Sequence, residues 1–66
     1  MTERFDVFEW KLLSAGRFLT WHGTYLSVED AIDKLRECAA KSMNEFYVKD
    51  NMTGLIVVRA NVPELV

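Results

Sequence analysis

The stretch Phe46-Tyr-Val-Lys-Asp-Asn-Met-Thr-Gly-Leu-Ile-Val-Val-Arg59 decides how the fold of this chain ends. Two runs of β-prone residues flank the loop Asp50–Gly54. Gly54 has no Cβ, so it can adopt the positive φ that closes a hairpin. The stretch therefore predicts a C-terminal β-hairpin, and the rest of the fold can be worked out from it.

The segment before this hairpin has the pattern of an amphipathic helix. Ser27 is a favourable N-cap residue, and the acidic Glu29 and Asp30 follow in the first turn, where the helix dipole favours negative charge. Asn44 is a candidate C-terminal stop. Apolar residues recur at helical spacing between these limits, namely Val28, Ala31, Ile32, Leu35, Cys38, Ala39 and Met43. We expect a helix over residues 28–43.

The chain before Ser27 predicts another hairpin. Phe5 to Leu12 alternates with the period of two that is typical of a half-buried strand. Ser14 to Gly16 is a turn, and Arg17 to Tyr25 is rich in β-prone residues. Gly23 within this second run indicates a β-bulge or the close approach of another group.

The order of elements, β-β-α-β-β, predicts that residues 1–66 form a single small α+β domain. One helix can cover one face of one four-stranded antiparallel sheet. The helix returns the chain so that strand three runs in the same direction as strand two, which means that these two cannot be neighbours. The spatial orders 2-1-3-4 and 1-2-4-3 both satisfy this condition. We favour 2-1-3-4, in which the crossover straddles strand one.

The length and composition limit how such a domain is stabilised. A chain of 66 residues buries a small core and often depends on disulfides, metals or oligomerisation. Cys38 is the single cysteine and cannot form an internal bridge, and one Cys with one His does not make a zinc site. Because 50% of the residues are hydrophobic, we expect apolar surface to remain outside the core and to be covered by self-association or by a protein partner.

The charge pattern bears on partners and on location. The formal net charge is −2, and the basic residues are scattered among acids, so nucleic acid is an unlikely partner. No apolar run approaches the roughly 20 residues of a membrane span. The first residues lack the apolar segment of a signal peptide. We therefore expect a cytoplasmic protein with no membrane association.

The residues that could support catalysis have simpler structural interpretations. His22 is the single histidine, and no residue spacing identifies a nucleophile or an orienting acid for it. Cys38 lies on the apolar stripe of the helix, where a thiol is inert. Glu29, Asp30 and Asp33 are typical of a helix N-terminus. We expect no catalytic residues, no metal and no cofactor, and hence a protein that is not an enzyme.

The aromatic residues, 12% of the chain, all fall in the predicted strands. One helix can bury about half of them. The residues expected to face the helix are Phe8, Trp10, Leu19, Trp21, Phe46, Val48, Ile56 and Val58. The residues expected on the uncovered face are Phe5, Val7, Phe18, His22, Tyr47, Leu55 and Val57.

An apolar face with a charged rim is typical of a protein-binding surface. We therefore expect a non-catalytic protein–protein interaction module, either a homodimer or a small adaptor or inhibitor. The candidate partner interface consists of Val7, Phe18, Tyr47, Leu55 and Val57. Association through exposed strand edges is the alternative geometry. The alternative functions are a single-stranded nucleic-acid-binding domain and a small-molecule binder near Trp21, His22 and Tyr25.

Overall fold

The architecture is a four-stranded antiparallel sheet with one helix across one face, as seen in a computed structural model that describes residues 3–62. The elements are β1 (Phe5–Leu13), β2 (Gly16–Tyr25), α1 (Val28–Ala39), β3 (Glu45–Asp50) and β4 (Ile56–Ala60). The strands lie in the order β2-β1-β3-β4. The predicted α+β class and the favoured strand order are confirmed.

The predicted N-cap of the helix and the predicted turn of the C-terminal hairpin are also confirmed. The Ser27 hydroxyl accepts a hydrogen bond from the backbone N–H of Asp30 at 3.1 Å, which caps α1. Gly54 has a φ of 76° and its N–H donates to the Asp50 carbonyl at 2.8 Å. The Asp50 carboxylate accepts from the N–H of Met52 at 2.8 Å, so the side chain and the backbone of this residue both close the β3–β4 loop.

The C-terminal end of α1 differs from the prediction. The helix ends at Ala39, whereas the apolar pattern predicted that it would continue as far as Met43. The side-chain amide of Asn61, beyond β4, donates to the carbonyls of Ala39, Ser42 and Asn44 at 3.1, 2.7 and 3.2 Å. The bond to Ala39 provides a partner for a carbonyl at the helix end, and the bonds to Ser42 and Asn44 hold the loop that leads to β3. Met43 is consequently 96% exposed and takes no part in the helical stripe.

The core lies between α1 and one face of the sheet. Its buried hydrophobic members are Phe5, Val7, Ala31, Leu35, Phe46 and Val48. The partly buried residues that pack against it are Tyr25, Val28, Cys38, Ala39, Val58 and Ala60. The helix-facing positions predicted for β3 and for Val58 of β4 are correct.

The predicted orientation of β1 is wrong. Val7, expected on the uncovered face, is 0% exposed beneath the helix, and Phe8 points to the opposite side. Both faces of β1 carry apolar residues, so alternation alone does not determine which face the helix covers. Val7 is paired with Gly23 on one side and with Val48 on the other. This row of small and branched residues lets α1 pack closely through Ala31, which is also fully buried.

A β-bulge in β2 accompanies this arrangement. The register shifts between Val7 and Phe8, because Val7 pairs with Gly23 while Phe8 pairs with Trp21, and His22 is the extra residue between them. Gly23 has a φ of 134°, and a Cβ at this position would lie 3.2 Å from the Tyr25 hydroxyl oxygen. The prediction that Gly23 marks a bulge or a close approach is confirmed, and the structure shows both.

Truncation of the core residue under the helix should destabilise the protein far more than truncation of the side chain beyond it. Leu35→Ala should lower the free energy of unfolding by about 2–5 kcal/mol, because it leaves a cavity between α1 and the sheet. Met43→Ala should change it by less than about 0.5 kcal/mol, because the side chain is exposed. Urea denaturation followed by circular dichroism measures both. Comparable losses in the two variants would contradict the helix end at Ala39.

The Asn61 amide should contribute measurably to stability through the segment it holds. Asn61→Gly removes the amide but tolerates the residue's φ of 55°, and it should cost about 1–2 kcal/mol. Asn61→Ala should cost more, because alanine is strained at this φ. Amide hydrogen exchange of residues 40–45 should accelerate in both variants. Unchanged exchange in Asn61→Gly would show that the three hydrogen bonds do not hold this segment.

Candidate functional site

Four directly paired residues form a row across the uncovered face of the sheet. Trp21, Phe8, Tyr47 and Arg59 are successive neighbours on β2, β1, β3 and β4, and together they form the aromatic row. The ring centroids of Phe8 and Tyr47 are 5.3 Å apart with an interplanar angle of 31°. Trp21 is 60% exposed. The row presents three aromatic side chains and one guanidinium on the side opposite to α1.

A second set of paired residues extends this surface toward the β1–β2 turn. Trp10 is paired with Leu19 on one side and with Glu45 on the other. The Arg17 guanidinium lies over the Trp10 ring, 4.5 Å from its centroid, a cation–π contact. Leu19 is exposed beside it. The uncovered face therefore combines aromatic, aliphatic and arginine side chains over two adjacent rows.

Asp6 lies next to the aromatic row on the same face of the sheet and holds Trp21 in place. Its buried carboxylate accepts a hydrogen bond from Trp21 Nε1 at 3.3 Å and further hydrogen bonds from the Thr24 hydroxyl and the Asn51 amide. These contacts join β1, β2 and the β3–β4 loop, and they restrict the orientation of the indole. Trp21 is therefore a positioned side chain despite its exposure.

Tyr47 keeps its phenolic proton at physiological pH. Its partial burial and the negative charge of Glu45 raise the pKa of the hydroxyl above the ordinary tyrosine value. The hydroxyl can therefore donate a hydrogen bond from the centre of the aromatic row.

An open depression adjoins this surface where the β1–β2 hairpin meets the loop after α1. Its volume is about 310 Å³. The residues that line it are Trp10, Leu12, Arg17, Met43, Asn44, Glu45 and Asn61. Its lining combines apolar side chains with an arginine, a glutamate and two asparagines.

A separate polar cluster lies on the helix side of the sheet around Glu9. His22 Nε2 donates to one carboxylate oxygen at 2.6 Å, and the Asn44 amide donates to the other at 2.7 Å. Burial raises the pKa of Glu9, but the hydrogen bonds from Asn44 and His22 and the electrostatic interactions with His22 and Lys11 outweigh it, so the pKa lies below the ordinary value. The cluster links β1, β2 and the α1–β3 loop.

The residues predicted as a partner interface are not brought together. Val7 is in the core and cannot contact a partner, and Phe18 is paired with Lys11 on the helix side of the sheet. Tyr47 lies in the aromatic row, while Leu55 and Val57 are exposed in and after the β3–β4 loop.

Sequence reasoning missed the residues that do lie together with Tyr47. These are Phe8, Trp10, Leu19 and Trp21. The sequence contains one indication of this arrangement. Glu9 of β1 and His22 of β2 can form a buried pair only if the faces of the strands that carry them are covered by the helix. That choice places the four missed residues on the uncovered face.

The three residues proposed for small-molecule binding do not share a cavity. Trp21 is on the uncovered face with Asp6, whereas His22 contacts Glu9 on the helix side and Tyr25 packs against the core. His22 and Trp21 are adjacent in sequence, so the alternation of side chains along a strand places them on opposite sides of β2.

Within residues 3–62, no three His, Cys, Asp or Glu side chains are grouped so that they could hold a metal ion. None of the helical structure in that range has the length and apolar character needed to cross a bilayer. Comparison with known protein families, with curated proteins and with solved structures found no match.

The Glu9 cluster should make stability depend on pH in a defined direction. Because the pKa of Glu9 is lowered by folding, its ionised carboxylate stabilises the folded state at neutral pH, and this contribution is lost as the pH falls through the folded-state pKa. Glu9→Gln should therefore be less stable than the wild type at neutral pH, and the difference should narrow in acid.

Urea denaturation at a series of pH values measures this effect. Glu37→Gln, which removes an exposed carboxylate from α1, serves as the matched control for the loss of one charge. A stability difference between Glu9→Gln and the wild type that stays constant from neutral to acid pH would contradict the assignment.

Proposed function

We propose that the protein is a non-catalytic interaction module that binds another protein through the uncovered face of its sheet. The observation that carries the proposal is the aromatic row, in which Trp21, Phe8, Tyr47 and Arg59 lie side by side opposite to the helix. Tryptophan, tyrosine and arginine are the residue types that most often dominate the energy of protein–protein interfaces.

The distribution of apolar residues supports the same proposal. Among residues 3–62, more large hydrophobic side chains are exposed than buried, and Leu12, Leu19 and Trp21 are exposed on the face that carries the aromatic row. Monomeric proteins rarely leave contiguous apolar surface of this kind uncovered. A partner that covers this face would supply burial that the small core lacks.

A non-catalytic role agrees with the positions of the reactive side chains. His22 is held by Glu9, and Cys38 packs against the core from α1. These contacts supply a structural role for both residues, and they support the proposal of a non-catalytic protein. An adaptor or inhibitor that acts by binding alone requires no further chemistry.

Binding of single-stranded nucleic acid is the second candidate. The observation in its favour is that Phe8 and Tyr47 lie on the two central strands of an open sheet, with Arg17, Lys49 and Arg59 on the same face. Aromatic side chains on a four-stranded sheet can stack on unpaired bases. This function predicts affinity that falls steeply with salt concentration.

Loss of the most exposed aromatic side chain in the row should weaken partner binding. Trp21→Ala should reduce affinity by about 2 kcal/mol or more, because anchoring aromatic residues contribute disproportionately to binding. Leu26→Ala is the matched control, because Leu26 is 69% exposed but lies between β2 and α1. Quantitative mass spectrometry of proteins captured from a lysate of the source organism compares the two variants with the wild type.

Proteins retained by the wild type and by Leu26→Ala but lost with Trp21→Ala are the expected result. Identical capture by all three proteins, or capture of nuclease-sensitive material alone, would show that the proposal is wrong. Circular dichroism of each variant confirms that the fold is retained.

A further inference from the structure

Positively charged residues outnumber negatively charged ones on the uncovered face, whereas the chain as a whole is acidic. Arg59 ends the aromatic row, Arg17 lies toward the β1–β2 turn, and Lys49 is paired with Asp6. Glu45 is the partly exposed carboxylate among them, since Asp6 is buried and accepts three hydrogen bonds. These three cations face two carboxylates, Glu45 and the buried Asp6, so this face has a small excess of positive charge in a chain whose formal net charge is −2.

The β1–β2 hairpin extends this cationic and apolar surface beyond the end of the sheet. Trp10 is the last residue of β1 that pairs with β3, so residues 11–18, the hairpin tip, project past it. The tip contains no acidic residue, and its Arg17 lies on the uncovered face, whereas Lys11 is paired with Phe18 on the helix side. Leu12 within it is 74% exposed. Positive charge and apolar contact area therefore coincide along one continuous surface.

From this charge complementarity we infer that the partner is a polypeptide segment in which acidic side chains flank apolar or aromatic ones, an inference that rests on the proposed function. Carboxylates of the segment pair with Arg17, Lys49 and Arg59, and the planar guanidinium groups suit bidentate pairing. The apolar side chains between them pack on the aromatic row and on Leu12. Complementary charge of this kind steers association and disfavours wrong partners.

A second copy of this chain is a poorer occupant of the same face. A two-fold symmetric dimer places the same patch of each subunit against itself. Such packing would bring Arg17, Lys49 and Arg59 of one copy toward the same cations of the other, with Glu45 as the one partly exposed acid to offset them. Juxtaposed like charges disfavour association.

Nucleic acid is also a poorer occupant, because three of the aromatic rings on this face already contact other side chains of the protein. Unpaired bases bind by stacking on open aromatic faces. The Trp10 ring carries the Arg17 guanidinium at 4.5 Å, and the rings of Phe8 and Tyr47 are packed together at 5.3 Å. Trp21 remains as the most exposed ring of the row. Side chains of a polypeptide can pack against the edges of these rings without displacing the internal contacts.

Selection from a random-sequence peptide library displayed on phage tests the inference with the intact protein as bait. Selected peptides should be enriched in Asp and Glu beside apolar residues. Fluorescence anisotropy then compares the best peptide with a version in which Asn and Gln replace its acids, and we expect about tenfold or weaker binding for the amide version. Single-stranded oligothymidylate and vesicles of phosphatidylcholine and phosphatidylserine are measured in parallel.

Charge reversal on the protein provides the second arm of the experiment. Arg59→Glu should weaken binding of the acidic peptide about tenfold or more, whereas Arg36→Glu, on the exposed side of α1, should leave it unchanged. Equal weakening by both substitutions would indicate a net-charge effect and would overturn the inference. Circular dichroism establishes that each variant is folded.

The outcomes separate this inference from the proposed function. Selected peptides that are neutral or basic, and whose binding is lost with Trp21→Ala, would overturn the acidic partner while leaving protein binding through this face intact. Failure to select any peptide, or tighter binding of the oligothymidylate or the anionic vesicles than of any peptide, would overturn both.

Discussion

The chain has one helix to cover a four-stranded sheet, so the helix shields one face of the sheet from solvent. Val7 lies at the centre of that face, between Gly23 and Val48, and directly beneath α1. Because side chains alternate along a strand, burying Val7 forces Phe8 and its paired neighbours to the other side. The core is therefore built on the Val7 side of β1, and Phe8, Trp21 and Tyr47 lie on the opposite, uncovered face.

Most of the fold could be predicted because it is encoded by local signals. The Ser27 cap, the loop that ends at Gly54 and the bulge at Gly23 depend on neighbouring residues, and the directions of the strands restricted their order. The end of α1 could not be predicted in this way. It is fixed by the amide of Asn61, a residue distant in sequence, and this contact overrides an apolar pattern that continues past Ala39.

The candidate site was less predictable than the fold, because it depends on the orientation of β1. On β3 the alternation is clean, and Tyr47 was correctly assigned to the uncovered face. On β1 both faces carry apolar residues, so the polar residue Glu9 helps to determine which face the helix covers. Glu9 can be buried only where His22 and Asn44 satisfy its carboxylate, since an unpaired buried charge is strongly destabilising. That pairing joins three segments and is invisible to hydrophobic periodicity.

The strand order also has a kinetic consequence. The β1–β2 hairpin closes through a short turn, but the core requires β1 to pair with β3, which is separated from it in sequence by the whole of β2 and α1. Closing that long loop costs chain entropy before the buried contacts offset it, and non-local pairing of this kind slows folding. The β1–β2 hairpin, whose contacts are local, therefore leaves Val7 uncovered during folding until β3 and α1 have docked against it.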